Sequence, residues 1–330
     1  MWRLTDAVGR LPAGQAVPVA RRALLVWAGA AACALGSWPL LVGQAQAAKP
    51  AALPAPKTVS LFGAKIRYLE LGKPGAKPTL VLLHGLGSSA LGDWGQVMGP
   101  LSQTHHVLAL DLLGFGQSDK PAIAYGIQTW VDFLGEFLRT KQVGSFTLMG
   151  ESLGGWIAAQ YTLQAFKGND LGASFVLPKP ARLVLCDAAG YRESFVRMLA
   201  NPTVGTPPLS LAGEKALLGL IFHNPSFSNA AAVRAGMGWA LGKGDSATIA
   251  AVVGNAKLGD EVLDGLLGAI SVPTLVVWGE HDRLIPLALG QRFAREIPGA
   301  QLVVIPDTGH APMIETPAAF VAAVLPFLRP

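Results

Sequence analysis

The stretch Phe146-Thr147-Leu148-Met149-Gly150-Glu151-Ser152-Leu153-Gly154-Gly155 decides how this chain folds. Its first four residues form a short apolar run of strand type that breaks at Gly150. Leu153 to Phe166 then reads as a helix, with Trp156, Ile157, Tyr161 and Leu163 among its apolar members. The unit is a strand, a sharp turn and a helix, with Ser152 at the apex. Glycines two residues before and after the serine suit such a turn, which strains its central residue and leaves no room for side chains beside it. The turn lifts the Ser152 hydroxyl clear of the sheet and sets it at a helix start, where unpaired N–H groups and the positive end of the dipole favour a developing negative charge. The same five-residue pattern also occurs as a plain turn before a helix, so the rest of the chain has to decide its meaning.

Outward from this unit run other unbroken apolar segments: Thr79 to Leu83, Val107 to Leu110, Leu183 to Cys186, Thr274 to Trp278 and Leu302 to Ile305. Continuous rather than alternating runs predict strands covered on both faces. Helical patterns over Thr129 to Thr140, Leu287 to Glu296 and Ala318 to Leu328 lie between or after them, which predicts an α/β fold with a mainly parallel sheet flanked by helices. Thr58 to Leu71 alternates around Gly63 and reads as an antiparallel hairpin at a sheet edge. The interval 191–270 has no strand run and several apolar helical stretches, such as Leu209 to Phe222 and Ala247 to Val253. It reads as a helical cap inserted between two halves of the core, 58–190 and 271–330.

In an open α/β sheet, function collects in loops at the carboxyl ends of strands. After Leu83 comes His84-Gly85-Leu86-Gly87-Ser88-Ser89, and after Leu110 comes Asp111-Leu112-Leu113-Gly114-Phe115-Gly116-Gln117-Ser118-Asp119. After Trp278 comes Gly279-Glu280-His281-Asp282, and after Ile305 comes Pro306-Asp307-Thr308-Gly309-His310. A serine hydroxyl is a poor nucleophile near neutral pH; it needs a base within hydrogen-bond reach, and the base needs an acidic partner to fix its tautomer. His310 and Asp282 can fill those roles at the ends of the last two strands.

With those motifs in the order Ser, Asp, His, the sequence resembles the α/β-hydrolase superfamily, specifically its capped serine esterases and related carbon–carbon-bond hydrolases. The resemblance covers residues 58–330. It implies Ser152 as nucleophile, His310 as base and Asp282 as acid, with the backbone N–H groups of Leu86 and Leu153 as oxyanion donors. It also implies a two-step reaction through an acyl-enzyme on Ser152. Asp187 competes for the acid role, because it follows the strand Leu183 to Cys186 and some superfamily members place the acid there. A serine at the elbow argues against the haloalkane dehalogenases and epoxide hydrolases, whose nucleophile is a carboxylate.

Other polar residues have plainer readings. His84 holds the oxyanion loop, Asp111 and Ser118 fix a turn, and Glu151 tunes the mouth of the site. His105, His106, His223 and His281 read as surface or packing residues. No histidine pair has the spacing of a metal site and no cofactor is called for. Cys186 reads as a small core residue.

Composition bounds the remaining choices. With 330 residues and 51% hydrophobic content the chain can bury a large core, which excludes a disordered protein. Of the net charge of +5, residues 1–47 carry +3, from Arg3, Arg10, Arg21 and Arg22 against Asp6. No basic run or basic-aromatic stripe occurs elsewhere, so nucleic acid is set aside as a partner.

The N-terminal segment 1–47 reads as an export signal: Arg21-Arg22, an uncharged stretch from Ala23 to Gly43, then Ala45-Gln46-Ala47 as a small-residue cleavage site. Periplasmic or secreted location follows. If residues 23–43 are not removed, they would instead anchor the chain in a membrane. Residues 48–57 read as a linker rich in alanine and proline. Removal of the signal would leave Cys186 as the only cysteine, so no intramolecular disulfide could form.

The expected function is a serine hydrolase acting on small-molecule carboxylic esters. The cap interval carries six basic and six acidic residues between Tyr191 and Asp264, which gives no bias toward an ionic substrate and favours apolar esters. Carbon–carbon-bond hydrolase, thioesterase and perhydrolase chemistry on the same triad stay open, as does a non-catalytic ligand-binding protein of the same fold.

Overall fold

Phe62 and Gly63, at φ 50° and 85°, turn the chain tightly enough for Lys57–Leu61 (β1) and Ala64–Leu71 (β2) to pair antiparallel, with Leu61 opposite Ala64. This computed structural model describes residues 55–329 apart from 76–77, 169–171, 173–174, 202–209 and 256–258. The expected export signal 1–47, its apolar stretch 23–43 and the linker up to residue 54 lie outside the described residues. Lys57 already pairs with Tyr68, so the sheet begins at the last residue of the expected linker. No helix among the described residues is long and apolar enough to cross a membrane.

In chain order the next elements are Thr79–Leu83 (β3), Ala90–Trp94 (α1), Met98–Ser102 (α2), His106–Leu110 (β4), Ile127–Thr140 (α3), Phe146–Glu151 (β5), Leu153–Lys167 (α4) and Arg182–Cys186 (β6). Among the described residues, four α-helices follow: Arg192–Ala200 (α5), Leu211–Ile221 (α6), Ala230–Lys243 (α7) and Ser246–Val253 (α8). The chain then returns to Thr274–Gly279 (β7), Leu287–Glu296 (α9), Gln301–Ile305 (β8), Pro312–Glu315 (α10) and Pro317–Leu328 (α11). The eight strands form one sheet in the order β1-β2-β4-β3-β5-β6-β7-β8. From β4 onward every neighbouring pair is parallel.

The strand order explains where a site can form. The chain runs from β3 outward to β4, then crosses to β5 on the other side of β3. The loops after β3 and β5 therefore leave the sheet side by side and diverge, the crevice in which α/β sheets bind ligands.

Alternate residues of each central strand feed different cores. Val81, Leu83, Leu148, Leu183 and Leu185 pack with Trp130, Phe137, Ile157 and Tyr161 from α3 and α4. Leu80, Leu82, Met149, Val184 and Cys186 pack with Trp94, Met98, Phe320 and Val324 from α1, α2 and α11. Burial on both faces accounts for the unbroken apolar runs. The run Leu302 to Ile305 differs: β8 is the edge strand, Val304 is exposed, and only Ile305 of the strand is fully buried. Apolar continuity there reflects β propensity without two covered faces.

Two of the α-helices between β6 and β7 owe their starts to side-chain caps. Ser210 Oγ accepts from Gly213 N at 3.0 Å, and Asn229 Oδ1 accepts from Ala231 N and Ala232 N at 3.0 and 2.9 Å.

Candidate active site

Ser152 sits at φ 49° and ψ −115°, a backbone conformation that costs a non-glycine residue free energy. Its surroundings hold it there: Ser152 N donates to Cys186 O at 3.0 Å, while its own carbonyl accepts from Ala189 N at 3.0 Å and Trp156 N at 3.1 Å. The flanking glycines are steric necessities. A Cβ on Gly150 would stand 2.1 Å from Gly154 O, and one on Gly154 would stand 2.3 Å from Leu83 O. Strand, loop and helix thus meet at contact distance, which no larger residue permits.

At the end of β7, Asp282 is fixed by two backbone donors, Leu284 N at 2.8 Å and Ile285 N at 2.9 Å, both onto Oδ1. Its other oxygen lies 2.7 Å from His310 Nδ1. Both side chains are buried. His310 comes from the loop after β8, and its backbone N–H donates to Ile221 O at 2.6 Å, so the end of α6 seats this loop. The contact needs Gly309, whose Cβ would lie 2.3 Å from Ile221 O.

Asp187 lies behind Asp282 and does not take its place. Its Oδ1 accepts from Gly279 N at 2.9 Å and its Oδ2 from Cys186 Sγ at 3.3 Å. Burial, followed by the negative charge of Asp282, pushes the Asp187 carboxyl well above the usual carboxylate range and favours its protonated form. The histidine contact belongs to Asp282.

The loop after β3 closes the other side. His84 Nδ1 donates to Gly85 O at 2.8 Å and its Nε2 accepts from Leu112 N at 3.0 Å, so the ring is neutral and pins the loop to the one after β4. Burial lowers its affinity for a proton, consistent with that tautomer. Gly85 N donates to Asp93 Oδ2 at 2.8 Å, and Asp93 Oδ1 accepts from the Ser88 hydroxyl. Asp93 therefore braces the loop from inside. Leu86 and Leu153 both line the cavity above Ser152, and Leu153 opens α4, where the first N–H groups have no intrahelical acceptor. Asp111 and Ser118 stand away from the cavity. Asp111 accepts from Ala90 N, Gln117 N and Arg67, and Ser118 Oγ donates to Asp111 O at 2.7 Å.

Glu151 is more deeply placed than a residue at the mouth of a site. Its Oε1 lies 3.2 Å from His310 Nε2, and its Oε2 stands where a Cβ on Gly85 would go. Burial first, then the charge of Asp93, pushes the Glu151 carboxyl well above its ordinary range.

Lys243, at the end of α7, reaches the same loop. Its Nζ donates to Gly87 O, lies 3.1 Å from Asp245 Oδ2 and sits 3.0 Å over the Trp239 ring centroid. Burial lowers its pKa to about 8. Asp93, Lys243 and Asp245 were not marked as site residues by the sequence. Asp93 stands in a five-residue helix with no motif around it, and Lys243 is one basic residue in a charge-balanced interval.

These groups surround a cavity of about 230 Å³. Ser152, His310, Glu151 and Asp93 are at its floor, and Trp156, Phe195, Leu218, Phe222, Trp239 and Ile249 form apolar walls. Residues 78–317 match the family model described as the alpha/beta hydrolase fold. The chain belongs to that family. Among curated relatives of this α/β hydrolase, the 2-hydroxymuconate semialdehyde hydrolase of a Pseudomonas species is 30% identical over 78% of this chain and 89% of its own. Lipase 1 of Psychrobacter immobilis is 28% identical over 77% of each. Among solved structures, a bacterial membrane phospholipase A superposes with a TM-score of 0.67 at 27% identity, covering 83% of this chain and 85% of that one. The relatives of this α/β hydrolase thus include one named as a semialdehyde hydrolase and one named as a lipase.

Proposed function

We propose that this α/β hydrolase is a serine hydrolase that cleaves carboxylic esters with apolar groups. The carrying observation is the 2.7 Å contact between His310 Nδ1 and Asp282 Oδ2, with His310 lining the same cavity as the strained Ser152. The Asp282 carboxylate holds the proton of His310 on Nδ1, leaving the Nε2 lone pair to accept the Ser152 hydroxyl proton. Ser152 Oγ then bonds the ester carbonyl carbon, and the carbonyl oxygen becomes negative. The N–H groups of Leu86 and Leu153 stabilise that oxygen, each such donor being worth about 3 kcal/mol of barrier. Collapse expels the alcohol, which leaves with the proton from His310. Water, deprotonated by His310, attacks the acyl-enzyme and releases the acid.

Apolar walls and the small cavity support esters of short or medium acyl chain over long ones. Purified enzyme should turn over p-nitrophenyl butyrate faster than the palmitate, and Ser152→Ala should abolish both. A carbon–carbon-bond hydrolase on the same three residues is the second reading, favoured by the 30% identity to the semialdehyde hydrolase. It predicts turnover of 2-hydroxymuconate semialdehyde in preference to any p-nitrophenyl ester. We place this activity in the periplasm or outside the cell, on the reading of residues 1–47 as an export signal.

A further inference from the structure

Outside the cavity, the structure gathers three metal-ligating side chains that are far apart in sequence. His223 follows the end of α6, His281 follows β7, and Asp307 follows β8 at φ 50°. One ligand atom from each lies within 4.8 Å of the others. The two imidazoles stack with centroids 4.1 Å apart, and His223 Nδ1 is buried without a hydrogen-bond partner among the described residues. A buried polar atom of this kind calls for a partner, and an imidazole nitrogen with its lone pair accepts a proton or a metal ion.

We propose that His223, His281 and Asp307 bind one divalent transition-metal ion of the zinc and nickel class. Two neutral imidazoles and a carboxylate are the donor set such ions prefer over magnesium or calcium, which favour all-oxygen sites. Glu280 adds a further oxygen: its Oε2 lies 3.7 Å from His281 Nε2 and accepts from Asp307 N at 3.3 Å. With neutral histidines the two carboxylates carry the charge that a divalent ion balances. Arg283, the nearest cation in sequence, is engaged elsewhere, donating to Gly219 O at 3.0 Å.

The backbones that carry the ligands are already fixed. His281 N donates to Thr308 O at 2.8 Å, Glu280 N to Ile305 O at 3.0 Å, and His223 N to Glu315 Oε2 at 3.2 Å. Ligand atoms around a tetrahedral ion at about 2.0–2.2 Å stand roughly 3.4 Å apart. Side-chain rotation can close the gap cheaply, because His281 and Asp307 are exposed and His223 is half-buried. The bound ion would join the segment after α6 to the two loops that carry Asp282 and His310.

Isothermal titration of tag-free, chelator-treated full-length protein with zinc chloride tests the site, with nickel chloride and magnesium chloride run alongside. Saturable binding of one zinc or nickel ion per chain is expected, with magnesium at least about tenfold weaker. His223→Gln and His281→Gln should each weaken zinc by about tenfold or more. X-ray absorption at the zinc edge of the wild-type complex provides a check that needs no variant: two imidazole nitrogens in the coordination sphere are expected. Absence of saturable binding at millimolar zinc, equal affinity for magnesium, zinc affinity unchanged in both variants, or a coordination sphere without imidazole would each overturn the proposal.

Discussion

Glu151 Oε1 lies 3.2 Å from His310 Nε2, the nitrogen that carries the lone pair when Nδ1 donates to Asp282. The residue just before the proposed nucleophile thus faces the proposed base. Glu151 shapes stability. Its carboxyl is raised in the folded state, so stability is greatest where Glu151 is protonated in both states. It falls as pH rises from the ordinary value of 4.5 through the raised one. Relative to Glu151→Gln, thermal unfolding of the wild type should shift to lower temperature between pH 5 and pH 8, in steps of about one pH unit. A constant offset would contradict the assignment.

Asp282 and Asp187 should separate cleanly in kinetics. Asp282→Asn removes the carboxylate that fixes the His310 tautomer, and kcat for ester hydrolysis should fall about ten-thousand-fold. Asp187→Asn replaces a carboxyl whose neutral form burial favours with a neutral isostere that still accepts from Gly279 N. Its kcat should stay within about tenfold of the wild type, measured on the same ester.

Lys243 ties α7 to the loop carrying Leu86. Its pKa falls from 10.5 to about 8 on folding, so the unfolded chain binds the extra proton between those values, and stability rises with pH across that window. The gain is on the order of 3 kcal/mol at its largest. Lys243→Met should lose this rise in urea-unfolding free energies measured from pH 8 to pH 10.5.

Gly150→Ala tests the steric reading of the elbow. The added methyl would sit 2.1 Å from Gly154 O, a backbone atom that cannot step aside. Destabilisation of about 1–3 kcal/mol or more and loss of ester turnover are expected, whereas Gly144→Ala, where a Cβ meets nothing, should change neither.

Local signals and chain order made much of this molecule legible before its coordinates. The unbroken runs ending at Leu83, Met149 and Cys186 are buried strands because helices cover both faces, and Gly150 and Gly154 stand where strand and helix touch. Residues that act through distant partners were hidden. Asp93 braces Gly85 from a short helix, and Glu151 reads as a residue at the mouth of the site because its role depends on side-chain direction, which pattern does not encode. His223, His281 and Asp307 have no common spacing, since three separate loops bring them together. The edge position of β8 was equally silent, because an apolar run looks the same whether one face or two are covered.

The central claim is that Ser152 is an activated nucleophile. Fluorophosphonate labelling of the purified protein, mapped by mass spectrometry, tests it most directly. The account predicts modification confined to Ser152, slowed by several orders of magnitude in Asp282→Asn and absent in Ser152→Ala. Labelling at another residue, or ester turnover that survives Ser152→Ala, would contradict it.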